Sequence, residues 1–245
     1  MSAIVLGAVC VVLLNLYAAT LVLLRSRVYG VTLYRPMITN IGLSFAPVLV
    51  VVVFGLGLAL LTPLLDVTAE LHTNIAAALL WLYLIAATGV WLLFFPNSVY
   101  LITELNFSHR AETTPVPLWY DIVQTLALTL SGIANAVLSL GGMQTVFIVI
   151  LNDPDADVIT PSSWMFAGIV IVLGAIGVYL GRYLRFNSWD VRHPASMARK
   201  LGAHLGQRGK ALEAGGFVLT HALLIALLYV PLYALAWSAL AAPSR

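Results

Sequence analysis

The chain has 245 residues, of which 61% are hydrophobic and only 9% charged, and its formal net charge is +2. A soluble globular domain carries about 25% charged residues, so this chain cannot cover a water-facing surface with charge. The composition therefore excludes a soluble enzyme, a disordered protein, a coiled coil and a nucleic-acid-binding protein that works through a basic face.

Six apolar stretches are each long enough to cross a membrane as a helix. A bilayer core is about 30 Å thick, and a helix needs about 20 mostly apolar residues to span it. The predicted spans are 3–24, 40–61, 75–95, 122–151, 164–184 and 217–240. A membrane β-barrel would instead show alternating segments of about 10 residues. We therefore predict an all-α membrane bundle of six transmembrane helices that forms one domain over residues 1–245. The fourth stretch contains Gly141 and Gly142, which leaves open whether it is one helix or broken.

The basic residues are distributed unevenly over the loops between these spans. Every lysine and arginine except Arg245 falls in the first, third or fifth loop, whereas the charged residues of the second and fourth loops are all acidic. Basic loops remain on the cytoplasmic side of a membrane. The sequence thus predicts a multi-pass protein of the inner cell membrane, with cytoplasmic odd-numbered loops and both termini outside.

The first of two polar motifs begins at the end of the third span. It reads FFPNSVYLITELNFSH over residues 94–109, and a WYD triplet follows at 119–121. Pro96 cannot continue a regular helical hydrogen-bond pattern, so we expect the third span to end or kink there and an interfacial or re-entrant turn to follow. The candidate site residues of this region are Asn97, Tyr100, Thr103, Glu104, His109, Trp119 and Asp121.

The second polar motif reads GVYLGRYLRFNSWD over residues 177–190, at the end of the fifth span. Arg182 and Arg185 are three residues apart, so they occupy neighbouring positions on one helix face. The remaining candidates are Asn187, Trp189 and Asp190 in the following loop and His221 early in the sixth span. Both motifs lie at cytoplasmic helix ends, so we expect their acids and arginines to meet. They would form either a structural ion-pair network or a binding or catalytic site that faces the cytoplasm.

The segment between the fifth and sixth spans predicts a short amphipathic helix on the cytoplasmic side. Met197, Leu201 and Leu205 repeat every four residues, and basic residues occupy other positions. A basic helix over residues 194–212 would bind anionic lipid head groups, with about 1 kcal/mol of attraction for each basic residue near the surface. We expect this contact with the lipid bilayer rather than binding of nucleic acid.

The two motifs resemble those of an uncharacterised family of bacterial integral-membrane proteins, the domain of unknown function 1361 family. The second motif is close to the family pattern, with Phe186 where tryptophan is common. In the first motif Ser98 and Val99 stand where the family has alanine and proline, and Glu104 stands in place of an aspartate. The resemblance implies an integral membrane protein and brings no established activity.

Three functions are compatible with the sequence. We favour binding or movement of a small polar or anionic ligand at the cytoplasm-facing polar site. The alternatives are a membrane-embedded enzyme that acts on a lipid or lipid-linked substrate, and a structural subunit of a membrane complex with an unidentified partner. Glu104, His109 and Asp121 have the chemistry of metal ligands, but their spacing matches no compact ligand motif. A single cysteine, Cys10, excludes a cysteine-rich metal site, so we expect neither a metal nor a cofactor.

Overall fold

The computed structural model describes residues 3–101, 115–151, 159–184 and 193–241. Within these ranges the chain is helical and contains no strand. The helices are α1 (Ala3–Tyr29), α2 (Arg35–Tyr100), α3 (Leu118–Leu151), α4 (Pro161–Tyr183), α5 (Pro194–Leu205) and α6 (Lys210–Ala241). The predicted all-α fold is confirmed.

Six helical segments of the described chain are long and apolar enough to cross a membrane, which confirms the predicted number of spans. They are Val5–Tyr29, Arg35–Leu65, Asn74–Tyr100, Leu118–Ile150, Pro161–Tyr183 and Lys210–Ala239. Many of their large apolar side chains face outward, among them Leu60 and Leu82, which are 81% and 66% exposed. Such extensive apolar surface is covered by lipid in a membrane and is rare on soluble proteins. The chain is therefore a multi-pass membrane protein.

Helix α2 contains two of these segments and reverses its direction between them. Tyr83 Oη donates to the carbonyl oxygen of Phe54 at 2.7 Å, and Ser98 Oγ donates to that of Ser44 at 2.5 Å. In a straight helix, Ser44 and Ser98 would lie about 80 Å apart at 1.5 Å per residue. The two segments are therefore antiparallel, and we call Arg35–Leu65 the first limb of α2 and Asn74–Tyr100 its second limb.

The second limb continues past Pro96 to Tyr100, so of the two predicted outcomes at this proline, an end or a kink, the end is excluded. The interfacial or re-entrant turn expected after it falls on residues 102–114, which lie outside the described part of the chain. Phe95, Ser98 and Val99 are fully buried around it. The packing of these side chains and the bond from Ser98 to the first limb hold the last turn in place.

The glycine pair does not break the fourth span, because α3 is one helix from Leu118 to Leu151. A Cβ atom at Gly142 would lie 2.8 Å from Cγ1 of Val51, which is closer than real side chains approach. The glycine therefore permits α3 to pack closely against the first limb of α2, as small residues do between transmembrane helices.

The predicted basic helix over residues 194–212 is shorter in the structure, because α5 ends at Leu205 and α6 already begins at Lys210. Gly209 lies between them with a φ of 82°, a left-handed conformation that glycine adopts without strain. This residue separates the two helices. The amphipathic pattern of α5 is confirmed, since Met197 and Leu201 are half-buried whereas Arg199 and Lys200 are exposed.

The chain forms two compact units, Met1–Met143 and Gln144–Arg245. The boundary falls within α3, so each unit contains one part of this helix. The core of the first unit includes Ala18, Leu21, Val22, Ile41, Leu101, Val116, Tyr120, Ala127 and Leu128. In the second unit α4 packs against α6. Each unit is described separately below.

A candidate polar site in the first unit

An ion pair joins the end of α1 to the start of α3. Nε of Arg25 lies 3.1 Å from Oδ1 of Asp121, and the two side chains are only 29% and 14% exposed. Asp121 stands in the first turn of α3, where the helix dipole favours an acidic residue. Because the pair is partly buried, salt screens it less than it screens a surface pair. The ion pair therefore helps to fix α1 against α3.

Tyr120 makes a second connection between the same helices. Its hydroxyl donates to the carbonyl oxygen of Leu21 at 2.7 Å. Its ring also meets that of Tyr29 edge to face, with centroids 5.2 Å apart. These contacts place the following turn of α3 beside the end of α1.

Gln124 occupies that following turn and carries an unpartnered polar atom. The residue is 8% exposed, and its Nε2 donates to Sδ of Met37 at 3.5 Å. Its Oε1 is buried and has no hydrogen-bond partner among the described residues. A buried acceptor in this state costs about 1–3 kcal/mol, and nearly all buried polar groups in proteins have a protein or water partner. The Oε1 atom of Gln124 can therefore accept a hydrogen bond from a bound molecule.

The side chain of Gln124 lines a partly open cavity of about 40 Å³, which we call the α1–α3 pocket. A single water needs roughly 10–15 Å³ on this measure, so the pocket has room for a few water-sized groups. Gly30, with a φ of 66°, turns the chain after α1 so that the connection to α2 forms one wall. The lining residues are Val22, Arg25, Ser26, Val31, Thr32, Leu33, Tyr34, Met37 and Gln124. The pocket thus combines a guanidinium, an amide and hydroxyl groups.

The structure places six of the sequence-predicted site residues. Asp121 belongs to the ion pair beside the pocket, whereas Trp119 is 60% exposed. Asn97 and Tyr100 are half-buried in the last turn of the second limb of α2. Of this group, the structure brings Asp121 together with Arg25, a residue that the sequence reasoning did not select.

The two predicted site residues placed in the second unit are Arg182 and His221. Arg182 is half-buried in the last turn of α4. His221 Nδ1 lies 3.0 Å from the carbonyl oxygen of Phe217, one turn earlier in α6, and the two rings stack at 3.7 Å. This local bond gives His221 a structural role within its own helix.

The other predicted site residues lie outside the described part of the chain. They are Thr103, Glu104, His109, Arg185, Asn187, Trp189 and Asp190. The expected meeting of the two motifs therefore stays a prediction. Among the described residues, no group of three or more histidine, cysteine or acidic side chains is arranged to hold a metal ion.

With this geometry established, comparison with known proteins assigns the chain to a family. The family model described as protein of unknown function (DUF1361) matches residues 37–228, well over half of the chain. The chain belongs to this family. No curated protein and no solved structure matches it. In this DUF1361 protein the matched range includes Asp121 and Gln124 and begins after α1.

Sequence reasoning missed a buried polar network in the membrane-spanning part of the first unit. Asn15 Nδ2 donates to Oδ1 of Asn135 at 2.8 Å, and Asn135 Nδ2 donates back to Oδ1 of Asn15 at 3.0 Å. Asn135 Nδ2 also donates to Oγ of Ser44 at 2.9 Å, and Ser98 donates to the Ser44 carbonyl. The network connects α1, α3 and both limbs of α2. Lone asparagines in apolar spans were the available signal, since buried polar groups in membranes usually find partners on other helices.

The second unit contains a comparable network. Tyr229 Oη donates to Oε1 of Gln144 at 2.5 Å, and Gln144 Nε2 donates to Oγ of Ser163 at 3.2 Å. All three residues are fully buried. Because these groups satisfy one another, this network joins helices and offers no acceptor comparable to Gln124.

Proposed function

We propose that this protein binds a small polar ligand in the α1–α3 pocket. The observation that carries the proposal is Gln124, whose side chain lines the same cavity as Arg25 and whose buried Oε1 has no hydrogen-bond partner among the described residues. A ligand there must donate a hydrogen bond to Gln124. It can accept one from Arg25, because a guanidinium has five N–H donors and the bond to Asp121 uses Nε alone.

The charge of the pocket favours a neutral polar ligand over an anion. The carboxylate of Asp121 lies 3.1 Å from Arg25 and compensates its positive charge. An anion in the pocket would therefore gain little from a guanidinium whose charge is already paired. A small group that both donates and accepts, such as an amide or a hydroxyl, suits the lining and the volume of about 40 Å³.

The proposal places the pocket on the cytoplasmic side of the inner membrane. Arg25, Arg27 and Arg35 gather at this end of α1 and α2, and cytoplasmic loops are enriched in basic residues. A ligand would then enter from the cytoplasm.

Acetamide is a suitable probe because it carries both N–H donors and a carbonyl acceptor. We expect it to raise the thermal unfolding midpoint of the full chain in lipid nanodiscs, since a ligand that binds only the folded state stabilises it. N,N-dimethylacetamide, which lacks N–H donors, should have no such effect. Inorganic phosphate tests the anionic alternative.

The variant Gln124→Met should abolish the acetamide effect, because the side chain keeps its length and loses the acceptor. Gln207→Met makes the same change at an exposed position in the turn after α5 and serves as the control. An equal response of the wild type and Gln124→Met to acetamide would overturn the proposal. The proposal would also be overturned if no probe changed the unfolding midpoint and the Gln124→Met variant were at least as stable as the wild type.

A further inference from the structure

An open groove of about 320 Å³ runs between α1 and the first limb of α2, separate from the α1–α3 pocket. Its walls include Leu16 and Ala19 on α1 and Ile38, Gly42 and Phe45 on α2. Both helices are membrane-spanning segments. An open groove at this depth contacts the hydrocarbon chains of lipids and excludes water.

The one polar residue of the groove lining does not require a polar occupant. Asn15 donates to Asn135 and to the carbonyl oxygen of Val11 at 2.9 Å, and its own oxygen accepts from Asn135. Its hydrogen bonds are thus made within the protein. The groove therefore presents an apolar surface that suits an acyl chain.

Two exposed arginines stand at one end of the groove. On α1, Leu23 follows Leu16 by seven residues and Arg27 follows Leu23 by four. On α2, Arg35 precedes Ile38 by three residues. Such spacings place residues on one face of a helix, so both arginines lie on the groove side of their helices. Arg27 and Arg35 are exposed, whereas Arg25 turns to Asp121.

The groove reaches at least as far from the arginines as an acyl chain extends into the membrane. Its farthest lining residues are Val12, 15 residues before Arg27, and Phe45, ten residues after Arg35, which corresponds to about 22 Å and 15 Å along the helix axes at 1.5 Å per residue. Half of a bilayer core is about 15 Å thick. A lipid with its head group at the arginines would therefore extend its acyl chain into the groove.

We infer that this groove is a binding site for an anionic phospholipid, with one acyl chain between α1 and the first limb of α2 and the phosphate at Arg27 and Arg35. Among the described residues, neither arginine has a carboxylate within ion-pair distance. The two positive charges are thus available to a lipid phosphate. The site uses none of the polar groups of the α1–α3 pocket, so it stands or falls independently of the proposed function.

Native mass spectrometry of the full chain in mild detergent tests the inference. Phosphatidylglycerol and phosphatidylcholine with identical acyl chains serve as the probes. We expect one phosphatidylglycerol to remain bound and phosphatidylcholine to bind roughly tenfold more weakly or worse, since each basic residue adds to the attraction for an anionic head group. Equal binding of the two lipids would overturn the assignment of Arg27 and Arg35.

Glycine variants test the groove itself. A Cβ at Gly42 meets no heavy atom within 4 Å, so Gly42→Leu should fill the groove without displacing a helix and reduce bound phosphatidylglycerol at least tenfold. Gly55 on the same limb is equally open and lies outside the groove lining, so Gly55→Leu is the matched control and should keep the lipid. Ala19→Leu fills the groove from the opposite wall, should Gly42→Leu fail to fold. Retention of the lipid by a folded groove-filling variant would overturn the inference.

The double variant Arg27→Gln/Arg35→Gln separates the head-group contact from the acyl contact. Both positions are exposed, so the fold should tolerate the change. We expect binding of phosphatidylcholine to stay unchanged and the preference for phosphatidylglycerol to fall at least about fivefold. An unchanged preference would assign the selectivity to other groups and overturn this part of the inference.

Discussion

Asn15 and Asn135 exchange two amide hydrogen bonds, of 2.8 Å and 3.0 Å, across the buried contact between α1 and α3. The pair lies within membrane-spanning segments, where water cannot replace a lost partner. Asn135 extends the connection to Ser44 on the first limb of α2. Removing Asn135 therefore takes a hydrogen-bond partner away from polar groups on two other helices.

The variant Asn135→Ala should lower the free energy of unfolding by about 1–2 kcal/mol, because Asn15 and Ser44 both lose a partner. Unfolding by SDS in mixed micelles measures this loss. Thr20→Ala is the control, since the Thr20 hydroxyl bonds only to the Leu16 carbonyl of its own helix. The double variant Asn15→Leu/Asn135→Leu should cost less than the sum of the two single changes. Strict additivity would contradict the paired role.

The antiparallel limbs of α2 depend on a glycine. A Cβ at Gly57 would overlap the hydroxyl group of Tyr83, which donates to the carbonyl oxygen of Phe54. We expect Gly57→Ala to destabilise the protein by about 1–3 kcal/mol, the usual cost of overpacking. Gly55→Ala has open space and should be neutral or slightly stabilising.

The removal of one oxygen atom should rescue this variant. In Gly57→Ala/Tyr83→Phe the clashing hydroxyl is absent, so much of the lost stability should return, apart from the bond to Phe54. Thermal unfolding of the four proteins in one lipid composition gives the comparison. If Tyr83→Phe fails to relieve the effect of Gly57→Ala, the cost does not come from this contact.

The ion pair beside the α1–α3 pocket should stabilise the first unit modestly. Asp121→Asn removes the charge that compensates Arg25 and keeps the size of the side chain. Exposed pairs contribute about 0.2–1 kcal/mol and breaking a buried pair costs about 3–5 kcal/mol, so this half-buried pair should cost about 1–2 kcal/mol. The loss should depend little on salt, because partial burial limits screening. A loss that vanishes in high salt would show that the pair is effectively a surface contact.

The membrane spans could be predicted from the sequence because about 20 consecutive apolar residues have few other solutions in a chain. The pattern of Met197, Leu201 and Leu205 likewise predicted α5. The end of a span was harder to predict, since Pro96 stops an isolated helix and yet packing of Phe95 and Val99 continues this one. The local sequence determines whether a segment tends to form a helix, and tertiary contacts determine the residue at which that helix ends.

The candidate site could be predicted only in part. Asp121 was selected because charges are rare in this chain, but its partner Arg25 depends on how α1 is rotated against α3. Gln124 gave no local signal, because its unpartnered oxygen exists only in the folded arrangement. The residue types predicted which segments of the chain are rich in polar side chains, and the packing of the helices determined which of those side chains contact one another.

The contact between α4 and α5 leads to the last prediction. Tyr179 Oη lies 2.8 Å from Nε2 of His204, which connects the amphipathic helix to α4. Tyr179→Phe removes this bond of about 1 kcal/mol and retains the ring packing. Transient release of α5 should then be about fivefold more frequent, and trypsin should cleave at the exposed Arg199 and Lys200 faster by the same factor when opening is rapid. Tyr183→Phe makes the identical change one turn along α4, where the ring stacks on Tyr179 and is 44% exposed, and its cleavage rate should match the wild type. Equal rates for the two variants would show that the hydroxyl of Tyr179 does not hold α5 in place.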